Sequence, residues 1–378
     1  MRVMHVVESM HQGGAESLVV EHVRHASAGV HRTVVALNRG GPALEAAAAA
    51  GAETLLLGKG GARATALLRL AGAMRARRIE VVNGHNPTGA LYATLAARLA
   101  GVPAVVRTEH SIHYAGRGFR GYAPVEQALT ALCDVVICVC EAARASHAPR
   151  FGRRAARFVT VLNGIGDAPP TRPRPEVRAS LGLPPQAPVA LTVGSLTPQK
   201  SQDVLLRAMA AARAHAPTAT LLVAGEGRLR ESLLALHAEL GLGERVRFLG
   251  ARSDVADLMT ACDLFVLSSS REGLSVTLLE AMRAGRAALA TDVGGNREAV
   301  LDGVTGRVVP VGDTSRMAAA LSDLLGSPER LAELGAAGRA RWASLFTARQ
   351  MVERTESLYR GALARHGRAP EPKDGGTA

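Results

Sequence analysis

Leu264-Phe265-Val266-Leu267, three serines, and then Arg271-Glu272-Gly273-Leu274-Ser275-Val276-Thr277-Leu278-Leu279-Glu280-Ala281-Met282 read as strand, exposed turn and helix. Four apolar β-formers make the strand, and the Gly-Leu-Ser turn separates it from an apolar helical run. A strand followed by a helix is half of a βαβ unit, so the stretch predicts a parallel sheet. In such sheets the turn falls at the carboxyl edge, where open α/β folds bind ligands. The amides of Gly273, Leu274 and Ser275 are then expected at a helix start, ready for an anion. Glu272 and Glu280, eight positions apart, flank that place as acceptors for hydroxyl groups.

The same alternation extends in both directions. Strands are expected at Val3–Val7, Thr33–Leu37, Thr54–Leu57, Val81–Gly84, Ala104–Thr108, Val135–Val139 and Phe158–Leu162. Helices are expected at Ala15–Ala26, Ala64–Arg77, Thr88–Leu99 and Pro124–Cys133. Asp167 to Pro175 is too rich in proline for either period and marks the expected domain boundary. Beyond it the rhythm restarts with strands at Val189–Val193, Thr220–Ala224, Val246–Leu249, Leu264–Leu267, Ala287–Thr291 and Arg307–Val309. The fold class is therefore α/β, with two Rossmann-like, doubly wound parallel sheets expected to face a central cleft. Residues 1–166 form the first domain and 167–346 the second, with 367–378 a polar, Gly/Pro-rich tail expected to be disordered.

At 378 residues two domains are the natural division. Apolar residues make up 47% and aromatics only 3%, so the core must be built from Ala, Val and Leu. The four cysteines sit in apolar runs without zinc-type spacing and read as reduced core thiols. The N-terminus enters a strand directly, no signal-peptide layout is seen, and no apolar run reaches the ~18 residues of a membrane span. These features point to a cytoplasmic protein.

The net charge of +12 is uneven, with 19 Lys/Arg against 10 Asp/Glu in residues 1–165. Basic clusters stand at Arg75, Arg77 and Arg78, at Arg117 and Arg120, and at Arg150, Arg153, Arg154 and Arg157. They lack interleaved aromatics and a nucleic-acid motif, so nucleic acid is not the expected partner. An anionic membrane surface fits them better, at ~1 kcal/mol per basic residue near the headgroups.

Other strand-end turns carry candidate groups. Gly13-Gly14-Ala15-Glu16 opens the first helix, but is no GxGxxG, which argues against a dinucleotide dehydrogenase. His110, in Arg107-Thr108-Glu109-His110-Ser111, and His85 stand at the ends of two strands. Lys200, in the turn Gly194 to Lys200, is placed to neutralise a diphosphate as a point charge. Gly250-Ala251-Arg252 is placed to hold a base through its backbone. An anion flanked by two hydroxyl-binding carboxylates outlines a nucleotide-sugar. No DxD and no histidine pair with a third ligand occurs, so no metal or cofactor is expected, and lysine, arginine and helix N-termini must meet a leaving diphosphate.

Taken in order, these turns resemble the retaining GT-B glycosyltransferases of family 4, the glycosyl transferases group 1 type. The likeness rests on Gly13 to Glu16, Thr108-Glu109-His110, Gly194 to Lys200, the Glu272 to Glu280 spacing that the family calls EX7E, Gly294-Gly295-Asn296-Arg297-Glu298, and Asp302 to Gly306. The resemblance implies a hexosyl transfer from a nucleotide diphosphate sugar, a uridine donor preferred to guanosine, to a hydroxyl of a glycan or lipid-linked acceptor. It implies retained anomeric configuration, with a place in polysaccharide or glycolipid synthesis. It also implies that Glu272 holds sugar hydroxyls, Glu280 the ribose, Lys200 the phosphate, and Gly13, Gly14 and Gly273–Ser275 other parts of the donor. His110 would contact the sugar near its anomeric centre, and residues 347–366 would form a helix crossing back to the first domain. The chain departs from the family at Ser195, where an arginine commonly follows the glycine. Losing that cation costs ~1.5–3 kcal/mol unless Arg252, Arg271 or Arg297 replaces it. A nucleotide-sugar epimerase or hydrolase, and a non-catalytic partner subunit, are the alternative readings.

Overall fold

The computed structural model describes residues 1–11, 13–58, 63–112 and 123–367. Arg117, Arg120 and the expected tail from residue 368 lie outside them. The chain divides into two compact units, Met1–Gly164 with the segment from Ala348, and Ile165–Thr347.

Unit 1 is a seven-stranded sheet of β1 (Arg2–Ser9), β2 (His31–Arg39), β3 (Glu53–Leu56), β4 (Val81–His85), β5 (Ala104–Glu109), β6 (Val135–Cys138) and β7 (Phe158–Thr160), in the order β3-β2-β1-β4-β5-β6-β7. Every pairing is parallel. Unit 2 holds β8 (Val189–Val193), β9 (Thr220–Ala224), β10 (Val246–Gly250), β11 (Leu264–Leu267), β12 (Ala287–Thr291) and β13 (Gly306–Val309), in the order β10-β9-β8-β11-β12-β13, also parallel throughout. The inner strands are covered on both faces by helices. This is why they read as unbroken Val, Ala and Leu runs rather than as alternating patterns.

Scarcity of aromatics is met by close approach of backbone. A Cβ on Gly335 would come within 2.2 Å of the Gly285 carbonyl, and one on Gly306 within 2.3 Å of the Ala288 carbonyl. Helix Pro328–Leu345 thus packs directly against the alanine-rich β12. The four cysteines are buried and none of them forms a disulfide.

The division between the units falls at Gly164/Ile165, ahead of the proline-dense stretch. That stretch is tied into unit 2 by one carboxylate. Asp257 accepts from the Thr171 amide at 2.6 Å, the Thr171 hydroxyl at 2.8 Å and Arg172 Nε at 2.9 Å. A short helix, Arg174–Ser180, then starts inside it, with Pro175 in its first turn, where a missing N–H costs nothing.

Helix Ala348–Arg365 belongs to unit 1. Its Glu356 takes Arg32 Nη2 at 2.6 Å, the Ser27 amide at 3.1 Å and Arg360 at 3.0 Å. Its Tyr359 hydroxyl accepts from Asn83 at 2.8 Å, and the Arg32 guanidinium stands 5.8 Å from that ring's centre. These bonds join the last helix to β1's neighbours across more than 270 residues of sequence.

Candidate active site

The strand order of unit 2 reverses between β8 and β11, which are neighbours in the sheet but separated by two strands in sequence. At such a switch point the connections leave to opposite faces and open a crevice at the carboxyl edge. Lys200 ends the turn after β8, and Glu272 lies in the turn after β11. The two turns are bonded together along their length. The Ser270 amide donates to the Gln199 carbonyl at 2.8 Å, Gln199 Nε2 to the Arg271 carbonyl at 2.8 Å, and the Ser268 hydroxyl to the Lys200 carbonyl at 2.9 Å.

At the centre Lys200 Nζ donates to Glu272 Oε1 at 2.6 Å, and the Ser269 hydroxyl donates to the same oxygen at 2.6 Å. Both bonds have the short lengths of charge-assisted contacts. The lysine and glutamate side chains are 19% and 8% exposed, so solvent screens this pair far less than a surface one. The two residues expected to serve sugar and phosphate separately are in direct contact.

Glycine fixes the turn from its other side. Gly294, with φ of 55°, lies so close that a Cβ would meet the Glu272 carbonyl at 2.2 Å, and the Gly295 amide donates to the Gly273 carbonyl at 2.6 Å. Gly294→Ala is expected to cost about 3 kcal/mol, combining left-handed backbone strain with overpacking. Gly303 also has positive φ, 73°, but open space around it. Gly303→Ala should cost only the strain, about 1 kcal/mol. Urea unfolding of both variants checks the difference, and equal losses would contradict the close approach.

Ser275 precedes helix Val276–Arg283 with no side-chain cap. The Gly273 and Ser275 amides donate to no other described backbone group. Leu274 turns its side chain into the core, 3% exposed, and Glu280 stands half-buried about one turn into the helix. Ser195 is exposed. Of the cations considered as replacements for an arginine there, Arg252 is held by both oxygens of Asp254 at 2.8 and 2.6 Å, and Arg297 pairs with Asp292. Exposed Arg271 has no ion-pair partner among the described residues.

Gly13, Gly14 and His110 lie in unit 1. Neither glycine of the pair takes the left-handed region, and Gly13 is extended at φ 172°. Its missing Cβ instead makes room for a side chain, because a Cβ there would come within 2.3 Å of Glu16 Oε2. Burial raises the Glu16 carboxyl above its ordinary range.

His110 directly follows β5 and ends a column of imidazoles. His110 Nε2 lies 2.9 Å from His85 Nδ1, and His85 Nε2 lies 2.9 Å from His5 Nδ1. Ring centres step by 5.2, 5.2 and 5.3 Å from His110 through His85 and His5 to His22. Burial, foremost, holds His5 and His85 well below the ordinary imidazole range and pushes His22 down to about 3. Because these folded values are depressed, the unfolded chain gains protons first as pH falls below ~6.5. Stability is then whole above that pH and is lost below it, for His22 down to about 3.

Glu109, raised to about 7 by burial against the opposing charge of Arg107, works the other way over part of that range. Three imidazoles against one carboxyl leave a net loss of about 3 kcal/mol per pH unit below ~6.5. Urea midpoints at about pH 7.5 and 5.5 measure this, and an unchanged midpoint would contradict neutral buried imidazoles.

Parts of the basic surface are structural. Arg157 donates to the carbonyls of Thr130, Ala131 and Cys133 at the end of helix Ala123–Leu132, and Arg77 pairs with Glu53. Arg150, Arg153 and Arg154 remain exposed. Among the described residues no group of three or more His, Cys, Asp or Glu side chains is arranged to hold a metal, and no helix is long and apolar enough to cross a membrane.

Sequence reading missed Ser268, Ser269 and Gln199, whose signal was a polar run at a strand end. It also missed His5 and His22, for which no local signal exists.

The profile described as Glycosyl transferases group 1 matches residues 173–341, and that described as Glycosyltransferase Family 4 matches residues 12–168. EpsD of Bacillus subtilis (strain 168), named for glycosyl transfer, is 32% identical over 295 residues, 74% of this chain and 76% of its own. The chain belongs to the family 4 glycosyltransferases.

A GDP-mannose-dependent alpha-(1-6)-phosphatidylinositol monomannoside mannosyltransferase of Mycolicibacterium smegmatis is 34% identical over 65% of this glycosyltransferase and 67% of its own length. Among solved structures, Anabaena Alr3699/HepE in complex with UDP-glucose superposes with a TM-score of 0.83 at 20% identity, over 95% of this chain and 99% of that one. This likeness shows the GT-B fold of two Rossmann-like units.

Proposed function

We propose that this glycosyltransferase moves a hexosyl unit from a nucleotide diphosphate sugar to a hydroxyl acceptor with retention of anomeric configuration. The observation that carries this reading is the Lys200–Glu272 pair, fixed across the β8/β11 switch point beside the amides of Gly273 and Ser275. Lys200 and the start of helix Val276–Arg283 supply positive charge where a diphosphate leaves. Glu272 Oε1 accepts from Lys200 and Ser269, and its second oxygen serves a donor hydroxyl. Glu280 takes the ribose hydroxyls, and His110 contacts the sugar.

In this reading retention arises on one face of the sugar. The departing phosphate oxygen accepts the acceptor's proton as the new glycosidic bond forms, so leaving-group stabilisation dominates. Glu272 then positions the donor rather than attacking it. The reaction takes no cofactor, and charge is met by protein groups without a metal.

A uridine donor is preferred, supported by the UDP-glucose held by HepE, while the mannosyltransferase relative keeps a guanosine donor in the comparison. The mannosyltransferase relative, named for a phosphatidylinositol monomannoside, supports a glycan or lipid-linked acceptor. Exposed Arg150, Arg153 and Arg154 support peripheral contact of a cytoplasmic protein with anionic lipid.

A melting screen against UDP, GDP, UDP-glucose and GDP-mannose tests the donor class. A ligand at about a hundred times its Kd adds ~2.7 kcal/mol, enough to register as a shift. No shift with any of the four would overturn this reading. Incubation with the bound donor alone then separates the chemistry, since an epimerised sugar or stoichiometric free sugar would replace transfer with epimerisation or hydrolysis.

A further inference from the structure

A line of buried hydrogen bonds runs to Glu272 from the far side of its turn. Asn296 Nδ2 donates to the Thr291 carbonyl at 2.9 Å, Thr291 Oγ1 to the Ser269 carbonyl at 2.6 Å, and Ser269 Oγ to Glu272 Oε1 at 2.6 Å. Asn296, Thr291 and Ser269 are each 0% exposed. Acceptor chemistry alone fixes every direction, because a backbone carbonyl, or a carboxylate paired with an ammonium, only accepts. Turning the Asn296 amide over would set two acceptors face to face, so Nδ2 points to Thr291 even though Oδ1 meets no partner.

The line starts in a segment with little freedom of its own. Thr291 ends β12, which is paired on both sides with β11 and β13. The Asn296 bond closes residues 291–296 into a ring, and within it Gly294 and the Gly295 amide press on the backbone of Glu272 and Gly273. Those contacts set the course of the turn but leave the glutamate side chain free to rotate. Among the described residues its carboxylate is reached only by Ser269 Oγ and Lys200 Nζ, both on Oε1, and Oε2 makes no hydrogen bond. Lysine is a point charge on a flexible four-carbon stem, whereas serine has one χ angle and here a pinned backbone. In the proposed donor complex Lys200 also serves the diphosphate, which leaves Ser269 as the bond that keeps the carboxylate in place.

We infer that Ser269 and Thr291 are positioning residues for the donor sugar. Thr291 sets the Ser269 backbone, Ser269 pins Glu272 Oε1, and Oε2 is thereby presented to a sugar hydroxyl at a fixed place. Neither residue touches the donor. This deepens the reading in which Glu272 holds the sugar, and rests on it.

The test reads binding, so no acceptor is needed. Calorimetry gives dissociation constants for UDP-glucose and UDP, or for GDP-mannose and GDP if the melting screen selects those. Their ratio reports the sugar's own contribution, which a general loss of structure would not single out. Ser269→Ala and Thr291→Val are each expected to weaken the nucleotide-sugar about tenfold and the bare diphosphate less than about threefold. Thr291→Ser keeps the hydroxyl and should recover most of the affinity. The double variant should stay at about tenfold rather than reach about a hundredfold, because Thr291 acts through the hydroxyl that Ser269→Ala has already removed.

Glu272→Gln, measured alongside, separates failure of this inference from failure of the donor assignment. A ratio moved by Glu272→Gln but by neither Ser269→Ala nor Thr291→Val would end the positioning role alone. A ratio moved by none of the three would end the donor assignment with it. Should Thr291→Val not fold, Thr291→Cys, of similar shape with a weaker donor, takes its place and is expected to lose at least about threefold. Equal losses for nucleotide-sugar and bare diphosphate, or a loss in the double variant equal to the product of the single losses, would overturn the inference.

Discussion

Glu272→Gln is expected to lower transfer by about 10²–10³ in kcat/KM while leaving the fold intact. The amide is nearly the size of the carboxylate and still accepts from Ser269, so the 268–275 turn keeps its shape. Its oxygen carries no charge, so the Lys200 ammonium loses the ion pair it made at 2.6 Å and is held in the β8/β11 crevice by a weaker, neutral acceptor. The magnitude is that of removing one preorganised partner from a developing charge. Activity is measured with the donor found in the melting screen, and circular dichroism confirms the fold. A variant with wild-type kcat/KM would remove Glu272 from the site.

The second large effect is far from the chemistry. Glu356→Ala is expected to destabilise the protein by about 3–5 kcal/mol, because it strips the partner from a buried guanidinium. The Arg32 and Glu356 side chains are 2% and 0% exposed, and the same carboxylate also takes the Ser27 amide and Arg360. An isolated surface pair would be worth under 1 kcal/mol, so burial decides the scale. The loss should show in urea unfolding and in faster hydrogen exchange along Ala348–Arg365. A loss below ~1 kcal/mol would mean that this helix is not held through Glu356.

Much of the architecture was readable because parallel strands covered on both sides leave continuous apolar runs. Val189–Val193, Thr220–Ala224, Leu264–Leu267 and Ala287–Thr291 stand where those runs are, and most other strands differ by one or two residues. The last strand of unit 1 stops at Thr160 rather than Leu162 because an edge strand has a neighbour on one side only. Helix Pro42–Ala49 was not anticipated, although Pro42 opens it and Gly51 follows it at positive φ.

Site residues were legible where a single turn carries them. Glu272 and Lys200 each announced themselves by a strand-end position, but their mutual contact depends on the sheet order placing β8 beside β11. The histidine column was invisible for the same reason. His5 reads as one polar residue inside an apolar strand, and its partner is 80 residues away. Arg252 illustrates the reverse case, a cation at the right edge whose charge is already satisfied two residues on by Asp254.

A crystal structure of the protein with the nucleoside diphosphate from the melting screen tests the central assignment most directly. The diphosphate is expected against Lys200 and the amides of Gly273 and Ser275, with the ribose at Glu280. A nucleotide bound away from the β8/β11 crevice, with Lys200 out of reach of both phosphates, would contradict it.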